Sequence, residues 1–134
     1  MVNREDIEKF LDRLSNEGAT YREIEPGLWS INPGGEFDMS VVVHHSPPVI
    51  VLRVKVMDAP TDEATSARIN RRLLEFNATD LLHGSYGIDN GSIVLTEALE
   101  LDHLDFTEFL AAYESITLAL PSHLRELATI REAK

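Results

Sequence analysis

Two hydrophobic periods alternate along this chain, and the switches between them mark out the elements. Ile7, Phe10, Leu11 and Leu14 recur at helical spacing and form one apolar stripe. Asn3 is a good N-cap, Asp6 stands three residues on, and Val2 and Ile7 occupy the two hydrophobic-staple positions. Gly18 ends that helix. TYREIEPGLWSI, residues 20–31, is rich in β-formers and broken by Pro26-Gly27, which predicts a first strand with a kink or tight turn in its middle. NPGGE at 32–36 is a strong turn.

DMSVVVHHSPPVIVLRVKV, residues 38–56, predicts two strands joined by a short loop holding Pro47 and Pro48. A register with Val42 opposite Val51 sets Ser40 against Arg53 and Asp38 against Lys55. It also joins Phe37, Met39, Val41 and Val43 to Val56, Val54, Leu52 and Ile50 as one apolar face, which belongs under helices. Neither run alternates cleanly, so Val42, Val49 and Val51 leave apolar surface on the second face, where Leu81 and Val94 are candidate additions.

A second helix is predicted from about Asp62 to Asn77, capped by Thr61 or Asp62, with Ile69, Leu73 and Phe76 on one face. LLHGSYGIDNGSIVLTEALEL is a hairpin turning at Asp89-Asn90-Gly91, with Leu82, Gly84, Tyr86 and Ile88 on one face and Ile93 and Leu95 opening the return strand. Asp105 caps a third helix, Glu108 completes its capping box, and Leu104 staples to Phe109. Phe106, Phe109, Leu110, Tyr113, Ile116 and Leu120 are its broad stripe. Pro121 should break or kink it, and Leu124, Leu127 and Ile130 mark a short C-terminal helix. The predicted order is α-β-β-β-α-β-β-α plus that helix. This is one α+β domain over residues 1–134, an antiparallel five-stranded sheet with the first and third helices packed on one face.

Composition narrows the function. The 12 basic and 23 acidic residues give a formal net charge of −11. That balance disfavours nucleic acid and anionic membrane surfaces and suits a basic partner. With no cysteine there is no disulfide, thiolate nucleophile or Cys-based zinc site. MVNREDIEKF has no apolar core and does not read as a secretory signal, and no run approaches a membrane span, so a cytoplasmic location is expected.

Candidate chemistry is sparse. His44, His45, His83, His103 and His123 show no His-x-His, His-Glu-x-x-His or His-x-x-x-His spacing, so no metal site is expected. Ser85 lies in Gly84-Ser85-Tyr86-Gly87, which lacks the Gly-x-Ser-x-Gly elbow. Gly34-Gly35 opens no phosphate loop, and Glu97 with Glu100, or Asp102 with Asp105, read as a solvated strand end and a helix cap. No catalytic residue and no cofactor are expected. Arg68, Arg71 and Arg72 hold three of the 12 basic residues within five positions, a solvated face with acid binding or dimer salt bridges as the alternatives.

The order of elements in an acidic chain of this size resembles the type III secretion chaperone fold of the CesT/Tir superfamily and its YbjN-like relatives. INRRLLEFN at 69–77, HGSYGIDNGSIVLTEALEL at 83–101 and LDFTEFLAAYESI at 104–116 carry the likeness, with Trp29 on the first strand. The strand-rich VVVHHSPPVIVLRVKV leans towards the YbjN-like branch. The resemblance implies a non-enzymatic, dimeric protein that holds a partner protein or an extended peptide segment, using the second helix and neighbouring strands to dimerise. A YbjN-like regulatory protein acting through one defined partner is the alternative. Val42, Val49, Val51 and Arg53 are the candidate peptide-binding or dimer surface, and Arg68, Arg71 and Arg72 the candidate dimer helix.

Overall fold

Pro26-Gly27 reverses the chain completely rather than kinking it. Gly27, at φ +80°, follows a proline with its fixed φ, the pairing that a two-residue reversal uses. The computed structural model describes residues 1–35 and 37–133. In it the expected first strand is two, β1 (Thr20–Glu25) and β2 (Leu28–Asn32), paired antiparallel with a bulge between Glu23 and Glu25. The remaining elements are α1 (Arg4–Ser15), β3 (Val41–Ser46), β4 (Val49–Asp58), α2 (Glu63–Thr79), β5 (Ser85–Asp89), β6 (Ser92–Glu100) and α3 (Phe106–Glu132). The sheet therefore has six strands rather than five, all neighbours antiparallel, in the order β1-β2-β3-β4-β6-β5.

The β3–β4 register also differs from the expected one, by two residues. Val42 lies opposite Arg53, His44 opposite Val51, and Ser46 opposite Val49, so that Pro47 and Pro48 alone make the turn. Proline has no N–H to give to a ladder, and placing both prolines in the turn spares it that loss. A shift of two returns every side chain to the face it already had. The faces thus stand as read, but the Asp38–Lys55 pairing does not: Lys55 meets Asp58 at 2.9 Å, and Arg53 pairs with Asp89 at the tip of the β5–β6 hairpin. Asn90 and Gly91, at φ +53° and +78°, form that tip, a turn that needs positive φ at both central residues.

α3 continues as one helix through Pro121, where a separate C-terminal helix was expected. Leu120, His123 and Leu127 are buried on either side of the proline, so packing holds the helix together across the missing N–H. Asp105 caps its start, accepting the Glu108 N–H at 2.8 Å. α1 opens with the Asn3–Asp6 capping box, and α2 is capped by Asp62.

One row across the sheet joins Tyr21, Ile31, Val41, Val54, Leu95 and Tyr86, and the next joins Trp29, Val43 and Leu52. Apart from Tyr21, which is partly buried and packs against it, these residues share a single buried cluster with Ile7, Leu11 and Leu14 of α1, Ile69, Leu73 and Phe76 of α2, and Phe109, Tyr113 and Ile116 of α3. All three helices contribute to this core. Leu81, expected to add to the second face, packs against the core instead. α1 is fastened to the β1–β2 hairpin by Arg4, whose guanidinium donates to Glu23 at 2.6–2.9 Å, and by the Tyr21 hydroxyl, which donates to Asp12. The Arg4 pairing holds the Glu23 carboxyl below its ordinary range, while the Asp12 bond and burial push the Tyr21 hydroxyl up to about 12.

Candidate functional site: an uncovered sheet face and an open strand edge

Side chains of the opposite parity lie outside the core cluster. One row runs Ser30, Val42, Arg53, Thr96, Ser85 from β2 to β5, and the next runs Leu28, His44, Val51, Ala98. Val42 and Arg53 are direct cross-strand neighbours, Val51 is diagonal to Val42, and Val49 sits by the proline turn opposite Ser46 and Glu100. Val42, Val49 and Val51 are half-buried, yet none belongs to the core, and nor does Val94. Val94 is only 7% exposed. Arg53, reaching from the Thr96 row to Asp89 beside Ser92, passes the strand position between them, which is Val94. The face therefore presents branched aliphatic side chains edged by hydroxyls, an ion pair and exposed His44 and Lys55.

The second feature is the β5 edge. Tyr86 donates its backbone N–H to the Asn77 side chain at 2.7 Å and accepts from the same amide at 3.3 Å. A side-chain amide thus stands where a neighbouring strand would, and it satisfies one position of an otherwise unpaired edge. Beyond it, Leu74 (68% exposed) and Ile88 (56% exposed) flank an apolar groove of about 300 Å³ between α2 and β5. Ile88 sits on the expected apolar face of its strand and Leu74 beside that of α2, so apolar periodicity gave no sign that both would be exposed.

Of the three arginines on α2, two are committed within the chain. Arg72 bonds Glu126 of α3 at 2.7 Å and lies 4.3 Å above the Phe76 ring, while Arg68 donates to the Ala133 carbonyl at 3.2 Å. Arg71 is exposed.

The polar group best placed for chemistry is buried. His123 of α3 is 3% exposed and stacks on Phe76 with ring centroids 3.7 Å apart. Its Nε2 lies 3.0 Å from the Asp80 carboxylate and its Nδ1 2.6 Å from the Tyr86 hydroxyl. A carboxylate can only accept, so Nε2–H donates to Asp80 and Nδ1 accepts from the tyrosine. Hydrogen bonds from Thr79 and His123 hold the Asp80 carboxyl below its usual range, and burial raises the Tyr86 hydroxyl. This array ties α2, α3 and β5 together. The other histidines are dispersed, His83 facing Glu97 at 3.3 Å and exposed His103 facing Asp102. Among the described residues no group of three or more His, Asp or Glu is placed to hold a metal ion. No helix among them is long and apolar enough to cross a membrane.

Six antiparallel strands and three helices that share one core make this a small α+β protein. The chain belongs to the family described as CesT_Tir_1, which it matches over residues 2–133. Among solved structures it is similar to the HopA1–SchA chaperone–effector complex, at 12% identity and a TM-score of 0.56, over 95% of this chain and 94% of that one. YbjN, a candidate transcription regulator from E. coli, is similar at 11% identity and a TM-score of 0.57, over 93% and 87% of the two chains. The ExsC–ExsE complex is similar at 13% identity and a TM-score of 0.51, covering 92% of each chain. At these identities the likeness is one of fold. No curated protein matches the chain.

Proposed function

We propose that this chain is a single-domain, non-enzymatic, chaperone-like protein of the cytoplasm. In this reading it holds an extended segment of a partner protein on the uncovered face of its sheet, against Val42, Val49 and Val51 with Arg53 at the rim. The observation that supports the reading is that these aliphatic side chains are half-buried and stand outside the core cluster to which all three helices contribute. Apolar surface kept in one patch on a soluble protein marks a contact site. The likeness to a chaperone–effector complex supports it. A regulatory role through one defined partner is the second reading, favoured by the likeness to YbjN.

A holding assay tests this with reduced, unfolded α-lactalbumin as the client. Wild type should suppress the growth of scattered light, and the double variant Val42→Asp/Val51→Asp, folded by circular dichroism, should lose most of that protection. Equal protection by both proteins would remove the sheet face from the mechanism. No protection by wild type would favour the regulatory reading.

The same proposal places a homodimer seam along α2 and the β5 edge, where Leu74 and Ile88 are exposed and Arg71 lies on the same helix. A two-fold axis there would bury each groove against its copy. Light scattering should give a dimeric mass for wild type and a folded monomer for Leu74→Asp/Ile88→Asp. A dimer that survives both charges would place the seam elsewhere.

A further inference from the structure

Two exposed leucines line the same depression. Leu82, in the connection between α2 and β5, is 92% exposed, and Leu118 on α3 is 75% exposed. They bound a hollow of about 420 Å³ in which Ala111 and Ala119, small residues two helical turns apart, leave room for an incoming side chain. The carboxylates of Asp80 and Glu114 stand at its rim, with the imidazole of His83, which faces Glu97. A second hollow of about 310 Å³ adjoins it along α3, sharing Glu114 and Leu118 and adding Glu17. Among the described residues no lysine or arginine lines either one.

Apolar anchors ringed by carboxylates define the chemistry of an occupant. It must carry apolar side chains flanked by cations. The backbone form follows from what the site withholds. The His83 main chain and the Ser115 hydroxyl already bond each other at 3.2–3.4 Å, and the walls are helix side chains and a connection rather than an open strand edge. A segment seated here must satisfy its own backbone groups, as a helix does and an extended strand does not. A second copy of this chain is disfavoured. Two-fold pairing through this hollow would set Asp80, Glu114 and Glu17 against the same three carboxylates, on chains of formal charge −11 each.

We propose that the hollow between Leu82 and Leu118 is a docking site for an amphipathic helix of a partner protein, with apolar anchors on the two leucines and lysine or arginine on Glu114 and Asp80. The site lies away from the uncovered sheet face and does not depend on the function proposed for that face.

The probe is a fluorescein-labelled synthetic helix of leucine and lysine with leucines at i, i+3, i+4 and i+7, compared with an analogue in which glutamate replaces lysine. Fluorescence anisotropy should give wild type a dissociation constant of about 10–100 µM for the basic helix and at least about tenfold weaker binding of the acidic one. Leu82→Ser/Leu118→Ser keeps every charge and should weaken the basic helix about tenfold, whereas Glu114→Lys should weaken it and flatten its salt dependence. Val42→Asp/Val51→Asp should leave it unchanged. Amide chemical-shift mapping on wild type needs no variant and should place the largest changes at residues 80–83 and 110–119. Undiminished binding to the double serine variant would mean general attraction between opposite charges and would overturn the site. Shifts mapped to the sheet face, or no binding at about 1 mM, would do the same. So would a wild-type oligomer that the double serine variant dissociates, because the occupant would then be a second copy.

Discussion

Replacing Phe76 by alanine is expected to lower the unfolding free energy by about 3–5 kcal/mol, the usual cost of deleting a fully enclosed phenylalanine. Phe76 is 0% exposed and is held on both faces. His123 stacks on one side at an interplanar angle of 8°, and the Arg72 guanidinium lies 4.3 Å from the ring centroid. Tyr86 of β5 approaches at 5.9 Å. The Phe76 carbonyl also takes the Asp80 and Leu81 N–H groups that close α2. Alanine would leave a hollow where three elements meet, and neighbours pinned by their own hydrogen bonds can collapse into it only in part. Urea denaturation measures the loss. A value near 1 kcal/mol would show that the surrounding array is free to relax, contrary to the packing described.

His123→Leu is expected to cost about 2–3 kcal/mol, chiefly by stranding the Tyr86 hydroxyl in the core. Leucine fills much of the imidazole's volume, so the loss belongs to hydrogen bonding rather than to a cavity. The double variant His123→Leu/Tyr86→Phe removes the stranded hydroxyl and should recover about 1 kcal/mol relative to His123→Leu alone. Strict additivity of the two single effects would contradict the coupling that the 2.6 Å contact implies.

The same array predicts a pH dependence. Asp80 is held below its ordinary carboxylate range by Thr79 first and His123 second. The unfolded state therefore takes up a proton at higher pH than the folded state does. The stability Asp80 contributes is fully present above the unfolded value near pH 4 and is lost as pH falls through the lower folded value. Unfolding curves of His123→Leu should show a shallower loss across that acid window than wild type. Equal slopes would show that His123 contributes nothing to holding Asp80 ionised.

Much of the architecture was legible because local chemistry settles it. Asn3, Asp62 and Asp105 cap the three helices because a short polar side chain can reach the free N–H groups of a first turn whatever lies beyond. Asn90-Gly91 turns the last hairpin because both positions need positive φ. The faces of β3 and β4 could be assigned because a period of two survives the two-residue register shift. The register could not, because it was argued from an Asp38–Lys55 pairing, and the structure pairs Lys55 with Asp58 and extends the ladder to Ser46 and Val49. The first strand split for a similar reason. A kink and a reversal share the Pro-Gly signal, and the antiparallel pairing of β1 with β2 decides between them.

Apolar periodicity and caps, read from sequence alone, determined where the three helices begin, the β3–β4 and β5–β6 hairpins and the inward faces of β3 and β4, because these follow from backbone geometry within a few positions. Tertiary structure alone decided what those faces meet. It carried α3 through Pro121, because burial of Leu120, His123 and Leu127 outweighs one missing hydrogen bond. It left Val42, Val49 and Val51 outside the core, committed Arg68 and Arg72 to α3, and exposed Leu82 and Leu118 together. A side chain's exposure depends on which elements end where, and that is a property of contacts between segments far apart in the chain.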